Sequence, residues 1–176
     1  MEKREYSKIE DMVAFANKES DRGCALILSS NLDNRLKELL ENLCIKLPLD
    51  IKKRLFSGTG GLATFSSRID MCYALGHLGE DEHRDLHLIR KIRNEFAHHE
   101  NKLTFDCHSV KSRCSEFRLI KEMENDYPAP EFQNLKPRDK FQIMVSSLYL
   151  LIQHRSRISS NKRPNVPNSS SIFPKK

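Results

Sequence analysis

Apolar residues recur three and four positions apart along most of the first 150 residues. That is the period of a helix with one buried face. A first amphipathic segment spans about 7–17, with Ile9, Met12, Val13 and Phe15 on one side. Ser20 or Asp21 can cap a long helix to about Lys46. In it Ala25, Leu28, Leu32, Leu36, Leu39, Leu40 and Leu43 form one stripe, and Pro48 ends the segment. A short helix is expected over 49–55. Thr64 or Ser66 caps the next, which runs to about Leu78 with Phe65, Ile69, Cys72, Tyr73 and Gly76 on its face, and Gly79 closes it. Glu80-Asp81-Glu82 then open a strong helix, since acids complement the dipole at a helix start. It continues through Leu86, Ile89, Ile92 and Phe96 to His98-His99. Residues 108–125 read as one charged helix carrying Val110, Phe117, Ile120 and Met123, broken by Tyr127-Pro128-Ala129-Pro130. Pro137 suits the first turn of a last helix bearing Phe141, Met144, Val145, Leu148, Leu151 and Ile152.

These segments sum to an all-α, single-domain bundle of about five to seven helices, over residues 1–154, with no convincing strand run and no internal repeat. The glycine-rich stretch 56–63 invites a phosphate-loop reading. A Walker loop needs Gly-Lys-Ser/Thr at its end and a strand before it, and this chain has neither. It therefore reads as a tight helix connector. No helix-turn-helix signature is legible.

Charge changes the picture at one end only. The net charge is +6, from 30 basic and 24 acidic residues. Six of the basic residues, Arg155, Arg157, Lys162, Arg163, Lys175 and Lys176, lie in 155–176, which holds no acid. The body is thus expected to be neutral and residues 155–176 to form a disordered, Ser/Asn/Pro-rich basic tail. Two readings of the tail stand: a solubilising end, or an arm that adds salt-sensitive affinity for nucleic acid.

The five cysteines (Cys24, Cys44, Cys72, Cys107, Cys114) are odd in number and show no C-x-x-C spacing. Neither a zinc ribbon nor a disulfide framework follows, and no metal or cofactor is expected. There is no apolar run long enough to cross a membrane and no apolar leader after the charged N-terminus, so a cytoplasmic location is expected.

The chemistry concentrates in Arg93-Asn94-Glu95-Phe96-Ala97-His98-His99. On a helix Arg90, Asn94 and His98 stack one turn apart at the border of the apolar stripe, and Arg93 can bend to the same edge. Histidine can move a proton near neutral pH. Arginine can stabilise charge on phosphate. RNA brings its own 2′-hydroxyl nucleophile, so such a site needs no metal. The same residues can equally cap carbonyls and pair with acids, His98 and His99 being favoured at a helix C-terminus.

Several stretches together resemble the mannitol operon repressor family of bacterial helical proteins: Glu19-Ser20-Asp21-Arg22-Gly23, the run from Leu62 to Asp70, Tyr73-Ala74-Leu75-Gly76, and the run from Asp85 to His98. The resemblance covers roughly residues 10–150. It implies a regulator of transcription, a repressor that acts through protein partners or indirect DNA contacts. Arg93 followed five residues later by His98 also resembles the motif of the HEPN superfamily. Those bundles are often dimeric, and many are metal-independent ribonucleases, whereas others have no activity and serve as binding modules, so an inactive RNA-binding relative is implied as well. On that alternative Arg93, Asn94 and His98 would be catalytic and a homodimer would assemble the site. Arg22, Arg68 and Asp70, from the other resembling stretches, would gather with Arg90 and His99 as a binding or structural cluster. Buried Arg–Asp pairs that fix helix register are the competing explanation.

Overall fold

The computed structural model describes residues 2–99, 102–126, 134–162 and 164–165. Among them are eight helices and no strand: α1 Glu2–Asn17, α2 Asp21–Leu43, α3 Leu49–Phe56, α4 Phe65–Ala74, α5 Glu80–His98, α6 His108–Ser115, α7 Arg118–Asp126 and α8 Pro137–Ser160. None is long and apolar enough to cross a membrane.

The starts follow from local chemistry. Ser20 accepts a hydrogen bond from the Gly23 amide at 3.1 Å, which caps α2. Thr64 and Ser67 form a reciprocal capping box at the start of α4. Pro137 occupies the first turn of α8, where its missing N–H costs nothing.

The long stripe of α2 lies at the centre of the core and packs most extensively on α8, then on α5. Leu28, Leu32, Leu36 and Leu39 are fully buried, as are Phe141, Val145, Leu148 and Ile152 of α8 and Leu86, Ile89, Ile92 and Phe96 of α5. The Phe105 ring bridges Phe96 and Phe141, at centroid separations of 5.0 and 5.2 Å.

Three expectations are corrected. The segment 108–125 is two helices. Asp85, buried on α5, accepts the Arg118 and Leu119 amides at 3.2 and 3.1 Å, so α7 begins on a cap supplied from another helix. Gly79 does not close α4. Gly76 does, with φ of +72° and with the His77 amide bonded back to the Cys72 carbonyl at 2.9 Å, while Gly79 is the N-cap of α5. And α8 continues past the expected boundary at 154 to Ser160. Arg155, assigned above to the tail, pairs instead with Glu82 at 2.5 and 2.9 Å and donates to the His77 carbonyl at 2.8 Å. Residues 166–176 and Arg163, most of the expected tail, lie outside the described residues.

The glycine-rich connector is a tight turn. A Cβ on Gly60 would stand 2.2 Å from the Arg54 carbonyl oxygen and 2.5 Å from that of Leu55, so only glycine fits there.

Candidate functional site

The residues singled out above fall into three groups. The first is structural. Arg68 of α4 is 6% exposed. It donates to Asp33 Oδ1 of α2 at 2.7 Å and to the carbonyls of Leu62, Phe56 and Ala63 at 2.9, 3.3 and 3.2 Å. Its acid is Asp33, 35 residues away, and not Asp70. One guanidinium thus ties the glycine-rich connector and α4 to α2. Burial pushes the Asp33 carboxyl above its ordinary range, opposed by Arg68 and, from the α5 side, by Arg93.

The second group is the end of α5. Arg93 donates to the Asn94 side chain at 2.9 Å, and both are half-buried. His98 and His99 are exposed, and no described residue gives the His98 ring a polar partner. Arg22 of α2 donates to the His99 carbonyl, so a cation does sit at the negative end of the α5 dipole. Beyond it lies a cavity of about 500 Å³ lined by Asp21, Arg22, Lys102, Thr104 and Arg138. Its charge is largely spent on structure: Asp21 takes Arg138 at 2.6 Å and the Phe105 amide at 3.0 Å.

The third group was not foreseen. Asp70 of α4 faces His83 and His87 of α5, with both Nε2 atoms 2.9 Å from Asp70 Oδ1. The Tyr73 ring stacks against His83 at 4.5 Å, and Arg90 Nε donates to His87 Nδ1 at 3.3 Å. Hydrogen bonding from His83, then His87, holds the Asp70 carboxyl below its ordinary value. The signal was legible: two histidines four apart on a helix share a face.

Thus Arg22 meets His99, Arg68 and Arg93 flank Asp33, and Asp70 and Arg90 meet at the histidine pair. The structure does not bring Arg68 and Asp70 to His98. Buried thiols add no nucleophile: burial pushes Cys72 and Cys114 up to about 12 and raises Cys24.

Next to the third group the surface turns apolar. Met71, Tyr73 and Leu75 are 40%, 44% and 51% exposed. Met71 and Leu75 line a groove of about 390 Å³ together with Leu40, Leu43 and Leu62, while Tyr73 lies against His83. Exposed apolar residues gathered beside a groove are a common mark of a protein-binding face.

A family model described as "Mannitol repressor" matches residues 25–157, well over half of the chain. The chain belongs to the mannitol repressor family. The all-helical fold agrees with that of a chain in the X-ray structure of the MtlR–HPr complex from Escherichia coli. The two superpose with a TM-score of 0.64 at 17% identity, over 82% of this chain and 98% of that one. No curated protein matches the chain. The family assignment carries a regulatory role, and the HEPN resemblance has no counterpart in these matches.

Proposed function

We propose that this mannitol-repressor family member is a non-enzymatic regulator that works by binding a protein partner, HPr or a protein like it. The observation that carries the reading is the family match over 25–157, beside a similar chain from Escherichia coli found in complex with HPr. The chain's own surface supports it. Two exposed apolar side chains, Met71 of α4 and Leu75 at its cap, line one groove, while Arg68 and Arg93 are engaged in internal contacts. A partner that covers Met71 and Leu75 gains from burying apolar area at about 25 cal/mol per Å². The ribonuclease role of Arg93, Asn94 and His98 is not needed on this reading. Repression then proceeds without a helix-turn-helix. The basic C-terminal segment would add at most salt-sensitive contact with nucleic acid. A homodimer is the default assembly.

The test is isothermal titration of the full chain with its cognate HPr, beside Leu75→Glu. A saturable complex that the substitution weakens at least about tenfold is expected. Wild-type protein that gives no complex, yet degrades RNA in a manner abolished by His98→Ala, replaces the reading with the nuclease one.

A further inference from the structure

We propose that Asp70, His83 and His87 form a binding site for a divalent metal ion of the zinc class. His83 and His87 are one turn apart on α5, so their rings project from the same face, and Asp70 meets them from α4. The two Nε2 atoms lie 3.2 Å apart, and each is 2.9 Å from Asp70 Oδ1. Ligands at about 2.0–2.1 Å around a tetrahedral zinc stand about 3.3–3.4 Å from one another. The three atoms therefore already form most of one face of such a tetrahedron, and small rotations of the exposed Asp70 and the half-buried imidazoles complete it. No other group of three His, Cys, Asp or Glu residues among the described residues is so placed.

Donor type selects the metal. Two imidazole nitrogens and one carboxylate suit zinc, nickel or copper, whereas magnesium and calcium demand oxygen donors. The side chains are 26%, 21% and 58% exposed for His83, His87 and Asp70, so an ion can enter and keep water in its fourth position. The Tyr73 ring against His83 and the edge-on His83–His87 pair, at 83° between planes, limit how far the rings can turn.

One contact must change. When Nε2 of His87 holds a metal, its remaining proton sits on Nδ1, which now accepts from Arg90. Arg90 must swing away on metal binding. Its positive charge also opposes the ion, so removing it favours the loaded state.

The experiment titrates zinc into the untagged full-length reduced chain against a chromogenic chelator, with thermal unfolding in parallel. One zinc per chain is expected, with a rise in Tm because the ion binds only the folded form. His83→Ala/His87→Ala should bind at least about tenfold more weakly and lose the Tm rise, as should Asp70→Asn to a smaller degree. His98→Ala/His99→Ala should bind as wild type does. Arg90→Ala should bind at least as tightly, and weaker binding there overturns the choice of Nε2 on His87 as ligand. Wild-type protein that takes up no zinc at submillimolar concentration, or a double-alanine variant that binds as wild type does, overturns the site. Circular dichroism of every variant shows that it is folded. None of these readouts depends on HPr.

Discussion

Arg68→Met removes one cation from a site where four acceptors depend on it. The Asp33 carboxylate loses its direct ion pair with Arg68, and the Phe56, Leu62 and Ala63 carbonyls lose a donor. Breaking a buried pair from one side costs about 3–5 kcal/mol. The Asp33 side chain is 26% exposed and Arg93 remains near it, which favours the lower end. Leu62 and Ala63 are only half-buried and can turn to water, so Phe56 supplies most of the remaining cost, about 1 kcal/mol. The expected loss is about 3–4 kcal/mol, or a fall of roughly 10 °C in Tm for a chain of this size. Urea unfolding reads it directly. The pH dependence gives a second check. Asp33 is already raised above 3.8 in the folded protein and rises further once Arg68 is gone. A carboxyl raised on folding contributes most below its unfolded value and loses that contribution as pH rises through the folded one. The deficit of Arg68→Met should therefore be smallest near pH 3.8, widen as pH rises, and then level off. Asp33→Leu/Arg68→Met, which removes both charges, should recover about half of the loss. A single substitution that costs less than about 1 kcal/mol, with no recovery in the double, refutes this account of how α4 is held.

Other perturbations have equally definite outcomes. Asp85→Ala removes the cap of α7 and orphans two amides, so a loss of about 1–2 kcal/mol is expected by urea unfolding. In Asp85→Asn the penalty of a buried charge disappears. Burial raises Asp85 above 3.8, so its advantage over Asn should shrink as pH rises from 3.8 through the folded value. Gly60→Ala drives a Cβ into two backbone carbonyls and should cost about 1–3 kcal/mol, whereas Gly61→Ala, in open space, should be near neutral.

The helices were legible because their apolar period is strong and their starts are chemically marked. Ser20, Thr64 and Pro137 act locally and can be read in the chain. What could not be read depends on distant partners. The break between α6 and α7 is made by a carboxylate more than 30 residues upstream, and the stretch 108–125 carries no glycine or proline to announce it. Gly76 and Gly79 are both plausible helix stops by composition. The choice falls to the one that adopts positive φ, since Glu82 accepts the Gly79 amide at 2.8 Å and makes that residue a start. Arg68 forms a buried ion pair with Asp33, and periodicity does not name that partner on α2. The terminal boundary moved because Glu82 is placed to absorb the Arg155 charge. His83 and His87 are a different case: their spacing of four on α5 is visible in the chain itself. Without Asp70 from a second helix that pair meant little.

Titration of cognate HPr into the full-length chain by calorimetry tests the central claim most directly. The account predicts a saturable complex, weakened at least about tenfold by Leu75→Glu and left intact by His98→Ala. Heats indistinguishable from dilution, with RNA cleavage that vanishes in His98→Ala, would contradict it.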